Sequence, residues 1–289
     1  MPTIALLVLS LLWGSTFYFT KLLLPEFHPI SIVFFRCLFG ALLLVPFFVV
    51  RKGYKELSWK KLPLLMGIPL LSAGVPWMIM SSSLRHLDTT ISAVLNATGP
   101  IFGVLLTLFL LKGKVKKQEI ASVAVGFTGI FIAFLFGSSS VGNVQFTSAL
   151  MLLLAVSLYA LSAVLTNRFL DGYSVVTLSF VTMVMGTLCA TPLMLLMEPA
   201  SYRGLGEFRN VFLFFLLGAI NSGAGNLLYY YIVKSGGPIF ALSITYLMPL
   251  TTILLGFFLL NEPVGIGTLI ALLFVLYSVY LSKRKDVKQ

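Results

Sequence analysis

Uncharged apolar stretches of about 20 residues, each long enough to cross a lipid bilayer, recur along the whole chain. They fall at 3–24, 29–50, 62–84, 89–111 and 120–136, and again at 146–167, 173–197, 210–233, 237–260 and 264–282. Between Ile120 and Asn167 no charge occurs, and the break there is placed at 137–143, a Gly-, Ser- and Asn-rich run that marks a loop. Each stretch is continuously apolar, whereas barrel strands alternate over about ten residues, so the spans read as helices. The predicted fold is an all-α integral membrane protein with ten transmembrane helices.

Composition points the same way. Apolar residues make up 58% of the 289 and charged residues only 10%, where soluble domains carry about 25% charge. There is too little polar surface for a water-facing exterior. The longest charged connections, 51–61 and 198–209, hold no extramembrane domain. The first span has no basic residue before it and no small-residue cleavage pattern, so it is read as a permanent helix rather than a signal.

The net charge of +11 lies in the connections, and unevenly. Fifteen Lys and Arg, among them Arg51, Lys61, Lys117, Arg168, Lys234 and Lys283, fall on one set of alternate connections and the tail. Only Lys21, Arg85, Arg203 and Arg209 fall on the other. Cytoplasmic loops collect basic residues, so the expected place is the cytoplasmic membrane with both termini cytoplasmic. Such charge belongs with an anionic lipid surface, and no nucleic-acid partner is expected. Cys37 and Cys189 sit in apolar runs, and His28 and His86 in loops without metal-ligand spacing. With no phosphate loop and no paired carboxylates within a span, no enzyme activity, cofactor or metal is predicted.

The chain also repeats itself. Ile91–Lys112 lies over Phe240–Asn261 at an offset of 149, bringing Pro100 onto Pro249 and Gly74 onto Gly223. At an offset of 146, Trp13 meets Tyr159, Gly40 meets Gly186 and Pro46 meets Pro192. The halves are set at 1–139 and 144–289. Five spans each is an odd number, so the second copy is inverted relative to the first. Inverted repeats meeting at the midplane are a recurring plan for solute carriers.

Leu12-Trp-Gly-Ser15-Thr16 with Lys21, Arg36-Cys-Leu-Phe-Gly-Ala, the two proline helices, and Leu259-Leu-Asn-Glu262-Pro together resemble the EamA-type drug/metabolite transporters. The resemblance covers the whole chain and implies five plus five helices. Its motifs specify the superfamily and not the substrate. One departure is Lys112-Gly113-Lys114, where an acidic residue is common in the family.

Arg36 is the only charge well inside a span, about 10 Å below the outer surface at 1.5 Å per residue from Pro29. Intramembrane charges mark functional sites by default, with snorkelling or a helix-end clamp as the alternative. Asn96 and Asn226 carry amides that hydrocarbon cannot satisfy, so each faces a helix or a cavity. Trp13, Trp77, Tyr159, Tyr230 and Tyr246 lie in the same spans, most of them too near mid-span for an interfacial belt. Together with Ser15 and Ser81 they form the expected substrate-binding set. Gly74, Pro76, Pro100, Gly223, Gly225 and Pro249 interrupt the third, fourth, eighth and ninth spans and are the expected hinges.

The function so predicted is secondary transport of a small organic metabolite by alternating access. An amino acid or related zwitterion is the best single guess, moving in the export direction. All nine acidic residues fall in loops, at helix ends or in the tail, which favours uncoupled movement and disfavours organic cations. The alternatives are a proton-coupled multidrug or metabolite exporter, and a non-transporting receptor or assembly protein. The oligomeric state is left open.

Overall fold

The computed structural model describes residues 2–111, 117–136, 143–198, 201–262 and 264–283. The loop expected at 137–143, except Asn143, lies outside them, as do Lys112-Gly113-Lys114, Pro263 and the tail beyond 283. The described residues are helical, with no strand among them. In chain order the α-helices are α1 (Pro2–Leu23), α2 (Pro29–Val50), α3 (Leu62–Pro69), α4 (Val75–Ser83), α5 (Thr89–Asn96), α6 (Gly99–Leu111) and α7 (Lys117–Phe136). They continue with α8 (Asn143–Phe169), α9 (Val175–Met197), α10 (Phe208–Phe214), α11 (Gly225–Leu242), α12 (Ile244–Leu260) and α13 (Ile266–Lys283).

Local chemistry sets several of these boundaries. His28 caps α2, its Nδ1 accepting from the Ile30 N–H at 3.4 Å, and Pro29 follows where no intrahelical N–H is needed. Ser174 caps α9 by accepting from the Thr177 N–H at 3.2 Å. By length and composition, seven helical stretches among the described residues can cross a membrane: Pro2–Leu23, Pro29–Val50, Trp59–Ser83, Thr89–Leu110, Phe146–Phe169, Val175–Met197 and Phe208–Leu242. Leu11, Val50, Phe109, Leu196, Phe258 and Ile266 stand more than half exposed, an apolar surface suited to lipid. This is a multi-pass membrane protein.

Two rods change their winding. A π-helical segment, Leu70–Gly74, joins α3 to α4, and a longer one, Phe215–Ala224, joins α10 to α11. At the offset of 149, Leu70–Gly74 falls on 219–223, inside the second segment. Two further rods are broken. Ala97 and Thr98 separate α5 from α6 just before Pro100, whose ring clashes with the carbonyl four residues back and which has no N–H to give. Ser243 separates α11 from α12.

The connection expected between the eighth and ninth spans is shorter than the sequence suggests. Helix continues through Val233 to Gly236, and a single residue, Gly237 with φ +81°, turns the chain. Only glycine adopts that conformation without strain.

Helix pairing follows a pattern of exchange. Helix α2 packs on α9, and α7 on α13. Helix α1 packs on α12 as α8 packs on α6, and α1 meets α11 as α8 meets α4. Small residues allow close crossings, as where Thr252 Oγ1 donates to the Gly14 carbonyl at 2.8 Å between α12 and α1.

Candidate functional site

Helices α1, α2, α4, α5, α8 and α12 converge on one cavity. It measures about 520 Å3. Its walls are Trp13, Thr16, Phe17, Arg36, Pro76, Trp77, Met80, Asn96, Ala155, Val156, Tyr159, Thr245 and Met248. Arg36 is the only charged residue among them.

Arg36 is 2% exposed. Its guanidinium carbon lies 3.7 Å from the centroid of the Trp77 ring, a cation–π contact of about 2 kcal/mol when desolvated. Its Nε donates to Ser222 Oγ at 3.0 Å, and Ser222 Oγ in turn donates to the Leu217 carbonyl at 2.8 Å. That carbonyl is five residues back, within the Phe215–Ala224 π segment. The irregular winding thereby supplies the acceptor that fixes the arginine. Nη1 of Arg36 is buried with no partner in the protein. A buried cation lacking a counter-ion is costly, and a carboxylate in the cavity would supply one.

The aromatic wall is built the same way. Trp13 Nε1 donates to the Asn221 carbonyl at 2.9 Å, again from the π segment, while Asn221 Nδ2 reaches Ser15 Oγ at 3.0 Å and Thr16 Oγ1 at 3.4 Å. Gly225 makes room for the indole, since a Cβ there would sit 2.7 Å from Trp13 Nε1. The Trp13 centroid lies 5.9 Å from that of Tyr159 and 5.2 Å from that of Tyr229. Tyr159 and Tyr229 have buried hydroxyls and ring centroids 5.3 Å apart.

Of the residues expected from sequence, the structure brings Trp13, Arg36, Pro76, Trp77, Asn96 and Tyr159 to this cavity. Five others lie elsewhere. Ser15 is behind the wall on Asn221. Ser81 is 1% exposed and does not line the cavity. Asn226 turns back along its own helix, Nδ2 donating to the Ser222 carbonyl at 2.7 Å. Tyr230 pairs with Thr182 on α9 at 2.6 Å. Tyr246 lines a second cavity, of about 910 Å3 of non-atom space, with Pro100, Asn167, Gly237 and Ser243. Gly74 and Gly223 lie in the two π segments and Gly225 just after the second.

Sequence reasoning passed over Thr16, Phe17, Met80, Ala155 and Val156. Each is three or four residues from Trp13, Trp77 or Tyr159, the spacing that puts side chains on one helix face. Ser222 and Asn221 carried no such signal, because π winding shifts the facing positions.

Comparison with known proteins agrees with this architecture. The EamA-like transporter family matches residues 1–135 and again 146–284. An uncharacterized transporter of Archaeoglobus fulgidus is 24% identical over 285 residues, covering 96% of this chain and 95% of the relative. The uncharacterized inner membrane transporter YedA of Escherichia coli is 26% identical, covering 96% and 89%. A solved crystal structure covering 98% of this chain and 96% of its own superposes with a TM-score of 0.75 at 13% identity, which establishes the shared fold. These relatives are named as transporters, not as enzymes. With the family matching both halves of its length, the chain belongs to the EamA-like transporter family.

Proposed function

We propose that this protein is a ten-span secondary transporter built from two inverted five-helix repeats, 1–139 and 144–289. It carries a small zwitterionic or weakly anionic metabolite, an amino acid or a relative, out across the cytoplasmic membrane by alternating access. Helix pairs that exchange between halves, π segments at corresponding positions, and a family match to each half all support the repeat. Stacked loop contacts add to it. The Glu56 carboxylate accepts from the Ser174 N–H at 2.7 Å, and the Glu198 carboxylate accepts from the His28 N–H at 2.9 Å. Ser174 and His28 are themselves related by the offset of 146.

The observation that carries the substrate class is the buried Arg36 guanidinium, stacked on Trp77 and short of a partner, in a cavity lined by no acidic residue. Such a site takes a carboxylate and rejects an organic cation. Thermal unfolding of the purified protein against a panel of metabolites tests this, because a ligand of the folded state raises apparent stability. Amino acids or other carboxylates are expected to shift the transition, and stabilisation by organic cations alone would refute the reading. Movement is down the solute gradient, so an imposed pH gradient without a solute gradient drives no accumulation.

Orientation has its own test. With both termini cytoplasmic, an impermeant thiol reagent applied to intact cells modifies Gly142→Cys and spares Ser58→Cys. Labelling of Ser58→Cys alone, or of both, reverses the assignment.

A further inference from the structure

The Asn261-Glu262 pair that ends α12 has no part in the cavity, yet it is built with care. Asn261 takes a left-handed conformation, φ +55°, and the Glu262 N–H closes back onto the Gly256 carbonyl at 3.0 Å. The left-handed residue just past the last turn ends the helix and reverses the chain. Glu262 is thereby turned onto the start of α5, in the other half of the sequence. Its Oε1 accepts from the Thr89 N–H at 3.1 Å, and its Oε2 from Thr89 Oγ1 at 2.7 Å, Thr90 Oγ1 at 3.3 Å and the Thr90 N–H at 3.4 Å. Glu262 is 8% exposed. Asp88, at the position that ordinarily caps such a helix, makes no capping bond. Burial raises its pKa, Glu262 raises it further, and Lys21 opposes both.

Lys21 holds the opposite side of the same turn. Its Nζ donates to the Leu84 carbonyl at 3.0 Å and the Leu87 carbonyl at 3.1 Å, at the end of α4. The α4–α5 turn is therefore gripped by a cation on its helix C-terminus and a carboxylate on its helix N-terminus, each complementing the local helix dipole. The other end of the bundle differs in sequence at both of these positions. At the repeat offsets Lys21 corresponds to Asn167, and Glu262 to Gly113. The corresponding turn, Gly236-Gly237-Pro238, lines the larger second cavity beside Asn167.

We infer that Lys21 and Glu262 form a one-sided clasp that holds the α4–α5 end of the transport pathway shut, so that the resting protein opens at the Gly237 end. In the orientation proposed above, the closed end faces outward and the open end faces the cytoplasm, as an exporter awaiting its solute requires. The inference rests on the alternating-access reading. Releasing solute outward means parting Glu262 from Thr89 and Thr90.

The test uses the full chain in vesicles, with Cys37→Ala and Cys189→Ala and a single reporter, Met80→Cys, on the cavity wall. An impermeant maleimide is applied from the side of the α4–α5 turn. The reporter is expected to label slowly in the parent and at least about tenfold faster in Glu262→Ala, since hydrogen bonds to a charged group are among the stronger ones. Glu262→Gln should fall between, and Thr89→Val should accelerate labelling without touching Glu262. Ser243→Cys, probed from the opposite side, should not speed up in any of these. Unchanged Met80→Cys labelling in both Glu262→Ala and Thr89→Val overturns the clasp, as does equal acceleration at both reporters in Thr89→Val. Labelling reads opening and not solute movement. Clasp-dependent labelling without transport therefore defeats the functional reading alone, and transport with clasp-independent labelling defeats the clasp alone.

Discussion

Arg36→Met is expected to weaken binding of a carboxylate solute by about 100-fold or more while leaving the fold intact. Removing one partner of a buried charge pair costs about 2–5 kcal/mol, and 2.7 kcal/mol is about 100-fold. The ligand-free protein moves the other way. Methionine keeps an apolar chain against Trp77 and removes a buried cation that has only Ser222 and a ring for company. Apparent stability without solute should therefore hold or rise. Arg36→Lys should not rescue binding, because an ammonium cannot both stack flat on Trp77 and bond sideways to Ser222 Oγ. Thermal shifts of the variants with and without an amino acid panel check all three. Undiminished ligand stabilisation in Arg36→Met would remove the arginine from the site.

Gly218→Val carries the largest expected cost to folding. Gly218 lies where α2 crosses the π segment, and a Cβ there would stand 2.6 Å from Phe39 Cβ and 2.8 Å from the Arg36 carbonyl oxygen. Neither is the far end of a flexible side chain, so backbone must shift. Overpacking costs about 1–3 kcal/mol and occasionally more, and a backbone clash belongs at the top of that range. The displaced backbone is that of Arg36 itself, so residual folded protein should also bind poorly. Gly67→Ala is the control, because Gly67 has open space where its Cβ would go and alanine favours helix by about 1 kcal/mol. Denaturation of the two variants side by side should separate them clearly.

Much of the scaffold was legible because lipid imposes one rule, that every backbone group be satisfied within its own segment. Helix α2 begins and ends where hydropathy puts it, between the His28 cap and Arg51. Hydropathy could not show the winding inside a span. Nothing in Leu70–Gly74 or Phe215–Ala224 distinguishes π from α by composition, although Gly74 and Gly223 marked both rods as irregular. Nor does apolarity say which way a side chain faces, since a lipid tail and a packed interior look alike to leucine. Asn226 was expected at the cavity because an amide needs a partner, and it has one at the Ser222 carbonyl of its own helix. Tyr230 is satisfied likewise by Thr182. Glu262 reads in sequence as a residue after a helix, and only the left-handed turn at Asn261 reveals that it faces Thr89 across the bundle.

Solute counterflow tests the central claim most directly. Proteoliposomes loaded with a high concentration of unlabelled amino acids are diluted into medium holding a trace of one labelled amino acid. Alternating access with Arg36 as the carboxylate site predicts transient accumulation of label for at least one amino acid, insensitive to proton ionophores and absent in Arg36→Met. Counterflow of organic cations with none of any carboxylate solute, or amino acid counterflow undiminished in Arg36→Met, would contradict it.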